Sequence, residues 1–141
     1  MKKKFFVLFF LIASFLSVEA KSDWKASWIV PSGCTSETNS WVVYRKMVNI
    51  NQVPKTLLAH IAADSKYWLW INGEMVVFEG GLKRGPSLGD SYYDEVEIAP
   101  YLKQGENTIA LLVWYFGKNG FSHLSSGSAG LLFEAIGDGV E

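Results

Sequence analysis

From Trp41 to Ile50 apolar and polar positions alternate, with Val42, Tyr44, Val48 and Ile50 on one side of an extended ribbon and Arg45 and Asn49 on the other. That is the period of a strand with one buried face. After the break at Pro54, Leu57, Ala59, Ile61 and Ala63 alternate with Leu58, His60, Ala62 and Asp64, which predicts a second strand with His60 on its less apolar face. Tyr67 to Ile71 and Glu74 to Phe78 are apolar runs separated only by Asn72-Gly73. This dipeptide tolerates positive φ and suits the two-residue turn of a twisted hairpin. The stretch 80–90 carries Gly80, Gly81, Gly85, Pro86 and Gly89 without periodicity and is expected to be a surface loop, a common place for binding residues. Tyr92 to Ile98 reads as a strand, and Pro100-Tyr101-Leu102 as the start of one helical turn that stops at Gly105. Asn107 to Phe116 is apolar at both parities, the pattern of a central strand covered on both sides. A second glycine- and serine-rich loop spans 117–128, and Gly130 to Ile136 is the last strand. Past the first twenty residues no helix-period segment exceeds about two turns, so the chain is expected to be all-β, an antiparallel β-sandwich.

The amino-terminal twenty residues stand apart from this pattern. Lys2, Lys3 and Lys4 precede an apolar run from Phe5 to Val18, and Val18 and Ala20 hold the small-residue positions of a cleavage site before Lys21. Residues 1–20 are therefore expected to be a secretory signal peptide, too short for a helix that spans a bilayer. The protein is expected to be secreted or periplasmic, without a membrane anchor once the signal is cleaved. Residues 21–40 then form a lead-in and 41–141 the sandwich. Cys34 is the single cysteine and can form no internal disulfide, so packing alone must hold the domain together.

Composition narrows the partners. The 141 residues are 49% hydrophobic and 15% aromatic, with 13 Lys and Arg against 14 Asp and Glu. A chain without a basic excess lacks the footprint of nucleic-acid binding. One domain is all that this length supports. The high aromatic content, six tryptophans among it, exceeds what a small core needs and points to rings on the surface.

Glu95 and Glu97 share one face of the predicted strand at about 7 Å, twice the rise per residue, which is near the separation of an inverting glycosidase's two carboxyls. Alternation with Val96 and Ile98 is also what a solvated strand face looks like, and no catalytic residue is assigned. His60 and His123 have no cysteine or second histidine at ligand spacing, so no metal site is assigned. Trp68 and Trp70 fall on one face of the hairpin strand, opposite Tyr67, Leu69 and Ile71. With Tyr92 beside them they form a candidate platform for the apolar C–H face of a sugar. Phe121 and His123, in the loop with Lys118 and Asn119, are a second candidate surface. For both surfaces the alternative is packing against a neighbouring domain.

Several of these residues together carry a resemblance. Trp24 with Ala26-Ser27-Trp28-Ile29, Tyr44-Arg45-Lys46, Ala63-Asp64 running through Tyr67 into Leu69-Trp70-Ile71-Asn72-Gly73, and Tyr101-Leu102-Lys103-Gln104-Gly105-Glu106-Asn107 entering Ile109 to Val113 resemble the N-terminal sandwich of bacterial α-L-rhamnosidases of glycoside hydrolase family 78. The Asn-Gly turn and the Leu-x-x-Gly-x-Asn segment also occur in other galactose-binding-like folds. The resemblance implies a jelly-roll, galactose-binding-like accessory domain that precedes an (α/α) barrel, the part that removes terminal α-L-rhamnose from glycans. It implies as partners a glycan and that catalytic barrel. It passes on no catalytic acid to this chain and no cofactor, although some such sandwiches bind calcium, for which Asp90 and Asp94 with loop carbonyls are the candidates here. Alternatives are a freestanding carbohydrate-binding module or an interaction domain without a ligand.

Overall fold

The structure, a computed structural model, describes residues 24–32, 37–81, 92–120 and 123–137. Seven strands follow in chain order: β1 (Ser40–Ile50), β2 (Leu58–Asp64), β3 (Lys66–Ile71), β4 (Glu74–Gly81), β5 (Asp94–Glu97), β6 (Gly105–Tyr115) and β7 (Gly130–Ile136). They form two antiparallel sheets, one ordered β1-β6-β3-β4 and the other β5-β2-β7. Except at the β3–β4 hairpin, every connection crosses from one sheet to the other. Alternating side chains give each sheet one apolar face, and the two faces close on each other as an antiparallel β-sandwich, as the pattern predicts. Tyr67, Leu69 and Ile71 of β3, Ile109, Leu111 and Val113 of β6, Ala59 and Ile61 of β2, and Leu131 of β7 fill the space between them. Burying each large member stabilises the fold by roughly 1.5–3 kcal/mol.

The connection from β2 to β3 is the tightest of the crossings. Ser65 alone separates the two strands, follows a cis peptide bond and is fully buried. Its N–H donates to the Trp114 carbonyl at 2.7 Å, which ties the corner to β6.

The hairpin turn forms at Asn72-Gly73, with φ of 52° and 86°, both positive as such a turn requires. Asn72 does more than turn the chain. Its Nδ2 donates to the Tyr101 carbonyl at 2.9 Å and to Asn107 Oδ1 at 2.8 Å, while its Oδ1 accepts from the Thr108 N–H at 3.1 Å. Asn107 is fully buried; it donates to the carbonyls of Lys103 and Gly105 and accepts from the Lys103 N–H. A buried amide must satisfy both its oxygen and its NH₂, and this one does so by folding 103–107 around itself. The helical turn predicted at Pro100 is a single 3-10 turn over Ala99–Tyr101.

Two expectations are corrected. β6 is central, paired with β1 on one side and β3 on the other, but only one of its faces is buried. Thr108, Ala110, Leu112 and Trp114 face outward and are half-buried, shielded by side chains of the flanking strands rather than by a second layer. Gly80 and Gly81 continue β4 instead of opening a loop; 82–91 lies outside the described residues. Gly80 is needed there because an added Cβ would overlap the Tyr67 ring.

The outward faces of the two sheets differ. Residues 24–29 run beside β7 at the edge of the three-stranded sheet, and Trp24 reaches over its outward face. There Trp24 sits edge-on against His60 and Tyr93, Glu134 Oε1 accepts the N–H groups of Lys25 and Ala26, and Ile29 bridges to Leu131. Ala62 and Leu132, which the register points outward, are buried on that side. No described segment crosses the outside of the four-stranded sheet. No helix among the described residues is long and apolar enough to cross a membrane.

Two substitutions test this scaffold by urea unfolding. Gly73→Val should lower stability by roughly 1–3 kcal/mol through backbone strain, since no atom lies within 4 Å of the added Cβ to clash with it. Asn107→Ala should cost about 3 kcal/mol, because it orphans several buried partners at once; an unchanged midpoint would show that the amide network does not hold the turn.

Candidate functional site

The outward face of the four-stranded sheet is built in rows across the strands. Trp41 pairs with Trp114, and Trp114 with Lys66; Val43 pairs with Leu112, and Leu112 with Trp68; Arg45 pairs with Ala110, Ala110 with Trp70, and Trp70 with Met75. Because paired residues point to the same side, these side chains share one surface. Ring contacts run across it. Trp41 stacks on Trp114 at 5.6 Å with planes 19° apart and lies 5.6 Å from Trp68, and Trp68 meets Phe78 at 6.4 Å nearly perpendicular. Trp114 continues the path to Phe116 at 5.5 Å, and its Nε1–H donates to Asn39 Oδ1 at 2.9 Å, fixing the indole. Phe78 and Val43 are each 70% exposed and Trp41 is 53% exposed, so the aromatic path is open to solvent.

The structure thus places Trp68 and Trp70 together on the outward face. Tyr92 is not beside them: it precedes β5 in the other sheet and makes no ring contact with either tryptophan among the described residues. Trp41, Trp114 and Phe78 belong to the surface and were not singled out from the sequence. The available signal was parity, since Trp41 alternates with the inward Val42 and Tyr44; what the sequence lacked was the pairing of β1 with β6.

The second candidate surface does not form as expected. Phe121 lies outside the described residues. His123 is 7% exposed and points into the corner at Ser65, because its partners are there. Its Nε2 is 3.2 Å from Ser65 Oγ and 3.5 Å from Asp64 Oδ1, and Ser65 Oγ donates to Asp64 Oδ1 at 3.0 Å. Asp64 Oδ2 accepts from the N–H and hydroxyl of Ser126 at 2.8 and 2.6 Å. A serine, a histidine and an acid therefore meet, but not as a hydrolytic triad. There, one ring nitrogen serves the serine and the other the acid; here the same nitrogen faces both, and Nδ1 is buried with no partner among the described residues. Ser65 Oγ also accepts the Phe116 N–H and is sealed from solvent. The cluster is a clamp on the corner.

The carboxylates are committed elsewhere. Glu97 Oε1 accepts the N–H groups of Leu57 and Ala99, and Glu95 pairs with His60 at 3.0 Å. Asp94, the calcium candidate inside the described region, accepts from the Tyr67 hydroxyl at 3.0 Å and the Gly81 N–H at 2.9 Å, and so bridges the two sheets. Asp90 lies outside the described residues. Among the described residues no cluster of three or more His, Cys, Asp or Glu has the geometry to hold a metal ion. Burial, followed by the negative charge of Asp94 and the hydrogen bond to it, pushes the Tyr67 hydroxyl far above the usual phenol range.

No protein-family model and no curated protein sequence matches the chain. Among solved structures it is similar to the GH78 family rhamnosidase of Bacillus sp. GL1, with 37% sequence identity over 83% of this chain and a TM-score of 0.71. The chain is a β-sandwich domain of the family 78 rhamnosidase type. It spans 12% of that enzyme's chain. The α-L-rhamnosidases of Aspergillus terreus, at 21% identity, 79% coverage of this chain, 14% of its own and a TM-score of 0.57, and of Streptomyces avermitilis, at 16%, 80%, 13% and 0.52, share the fold of the rhamnosidase-type sandwich.

The Tyr67 environment sets an alkaline signature for the rhamnosidase-type sandwich. Below the ordinary phenol value of about 10, folded and unfolded chains both keep the proton, and stability does not depend on it. Above that value the unfolded chain ionises first, so stability falls as pH rises. Tyr67→Phe should lower stability at neutral pH by about 1.5–3 kcal/mol, the scale of a hydrogen bond to a charged group, yet lose less on going to alkaline pH, as urea midpoints across that range would show.

Proposed function

We propose that the chain is a non-catalytic accessory domain of a secreted, α-L-rhamnosidase-like glycoside hydrolase, one that presents its aromatic sheet face to glycan beside a catalytic barrel. The observation that carries this reading is the likeness to the Bacillus enzyme at 37% identity, over a domain-sized 12% of that enzyme's length. The commitments of Glu95 and Glu97 to His60 and to backbone N–H groups support the non-catalytic part. An inverting pair needs one free acid and one free base. Secretion rests on the pattern of residues 1–20, and the sugar-facing role on Trp68, Trp70, Trp41 and Phe78 sharing one solvent-open surface.

The purified chain should release no nitrophenol from an aryl α-L-rhamnoside; release that Glu95→Ala or Glu97→Ala abolishes would overturn the reading. On a rhamnose-containing polysaccharide column the chain should be retained. Trp70→Ala should weaken retention more than it lowers the unfolding midpoint, and an equal loss of both would make Trp70 part of the scaffold alone.

A further inference from the structure

The outward face carries one charge that its aromatic composition does not explain. Arg45 is exposed and lies in the row Arg45–Ala110–Trp70–Met75. Among the described residues its one hydrogen bond is a weak contact from Nη2 to Met47 Sδ at 3.8 Å, and most of the guanidinium fork meets no acceptor there. Lys66 on the same face is paired with Glu79 at 2.9 Å. On β6, Glu106 shares the outward parity but lies four residues from Ala110, about 14 Å along the strand. Arg45 is thus a cation without a carboxylate among the described residues of an apolar face, on a chain whose net charge is -1.

Its place in the row matters. Arg45 and Trp70 stand two strand spacings apart, about 10 Å, and the residue between them is Ala110, whose methyl leaves a trough between two long side chains. Leu112 and Trp68 bound the trough on one side and Thr108 on the other. An indole on one wall, the Arg45 side chain on the other with its guanidinium lying toward Met47 at the Thr108 end, and a small apolar floor suit a pyranose ring that bears a carboxylate. The ring's C–H face packs on the indole, and the carboxylate takes two parallel N–H bonds from the fork.

We propose that this trough binds an acidic sugar, a uronic acid residue of a glycan chain, with Trp70 stacked on its ring and Arg45 holding its carboxylate. The proposal rests on the glycan-facing reading above and deepens it. Charge decides between occupants. A neutral protein surface pressed onto this face would strip water from the guanidinium and give it no acceptor in return, and a second copy would add a second cation to the same interface. A uronate supplies the missing partner and leaves the pair partly in water.

Affinity electrophoresis in gels containing polygalacturonate, or its methyl ester, separates the possibilities. The wild-type chain should be retarded about tenfold more strongly by the acid form than by the ester, a preference that weakens with salt. Arg45→Gln should reduce binding of the acid form to the level of the ester without moving the unfolding midpoint, and Trp70→Ala should abolish both. Equal retardation by acid and ester, or an Arg45→Gln chain that keeps the preference, overturns the proposal while leaving glycan binding intact. Retention on the rhamnose-containing column with no retardation by polygalacturonate overturns this proposal alone, and failure on both supports removes the glycan-facing reading with it. Sedimentation showing a dimer that Phe78→Lys disperses would assign the face to a second copy and also overturn it.

Discussion

The corner at Ser65 is the constraint on which the rest of the molecule turns. A chain that leaves one sheet at Asp64 and enters the other at Lys66 has a single residue in which to cross the core, and the polar groups of that crossing are sealed from water. Unpaired, a buried carboxylate and hydroxyl would cost more than a small domain can offset. Here they are paired by residues far along the chain: His123 and Ser126 reach Asp64 and Ser65, and the backbone of Trp114 and Phe116 closes the ring of bonds. Fixing the corner fixes the parity of β3, since a slip by one residue would exchange every inward side chain for an outward one. Tyr67, Leu69 and Ile71 go into the core and Trp68 and Trp70 to the surface because Ser65 is where it is.

What the sequence made legible was local. Asn72-Gly73 announces its turn through the conformational tolerance of two adjacent residues, and the alternations in 41–50 and 57–64 announce strands through a rule of similarly short range. Long-range partners were not legible. His123 looks like a loop residue in sequence, and its burial depends on groups 58 residues upstream. The outward face of β6 was misread for a related reason: Ala110, Leu112 and Trp114 are apolar whether another layer covers them or a row of neighbouring aromatics does, and hydropathy does not distinguish the two. The aromatic path needed Trp41 of β1 beside Trp114 of β6, a pairing between the first strand and the sixth that no local pattern encodes.

The two outer faces divide the labour of a small sandwich. One is partly covered by the chain's own lead-in, where the rings of Trp24, His60 and Tyr93 meet in mutual contact. The other keeps its rings in contact with one another and with water. Tyr67 and Asp94 link the layers between, a hydroxyl from one sheet on a carboxylate from the other, so the surface that carries the rings is braced from behind by a buried polar bond as well as by apolar packing.

The bonds from Lys25 and Ala26 to Glu134 bring the first and last described stretches of the chain to one edge of the sandwich. Two stretches 109 residues apart in sequence are thereby latched to each other, so that loosening the lead-in also releases an outward side chain of β7.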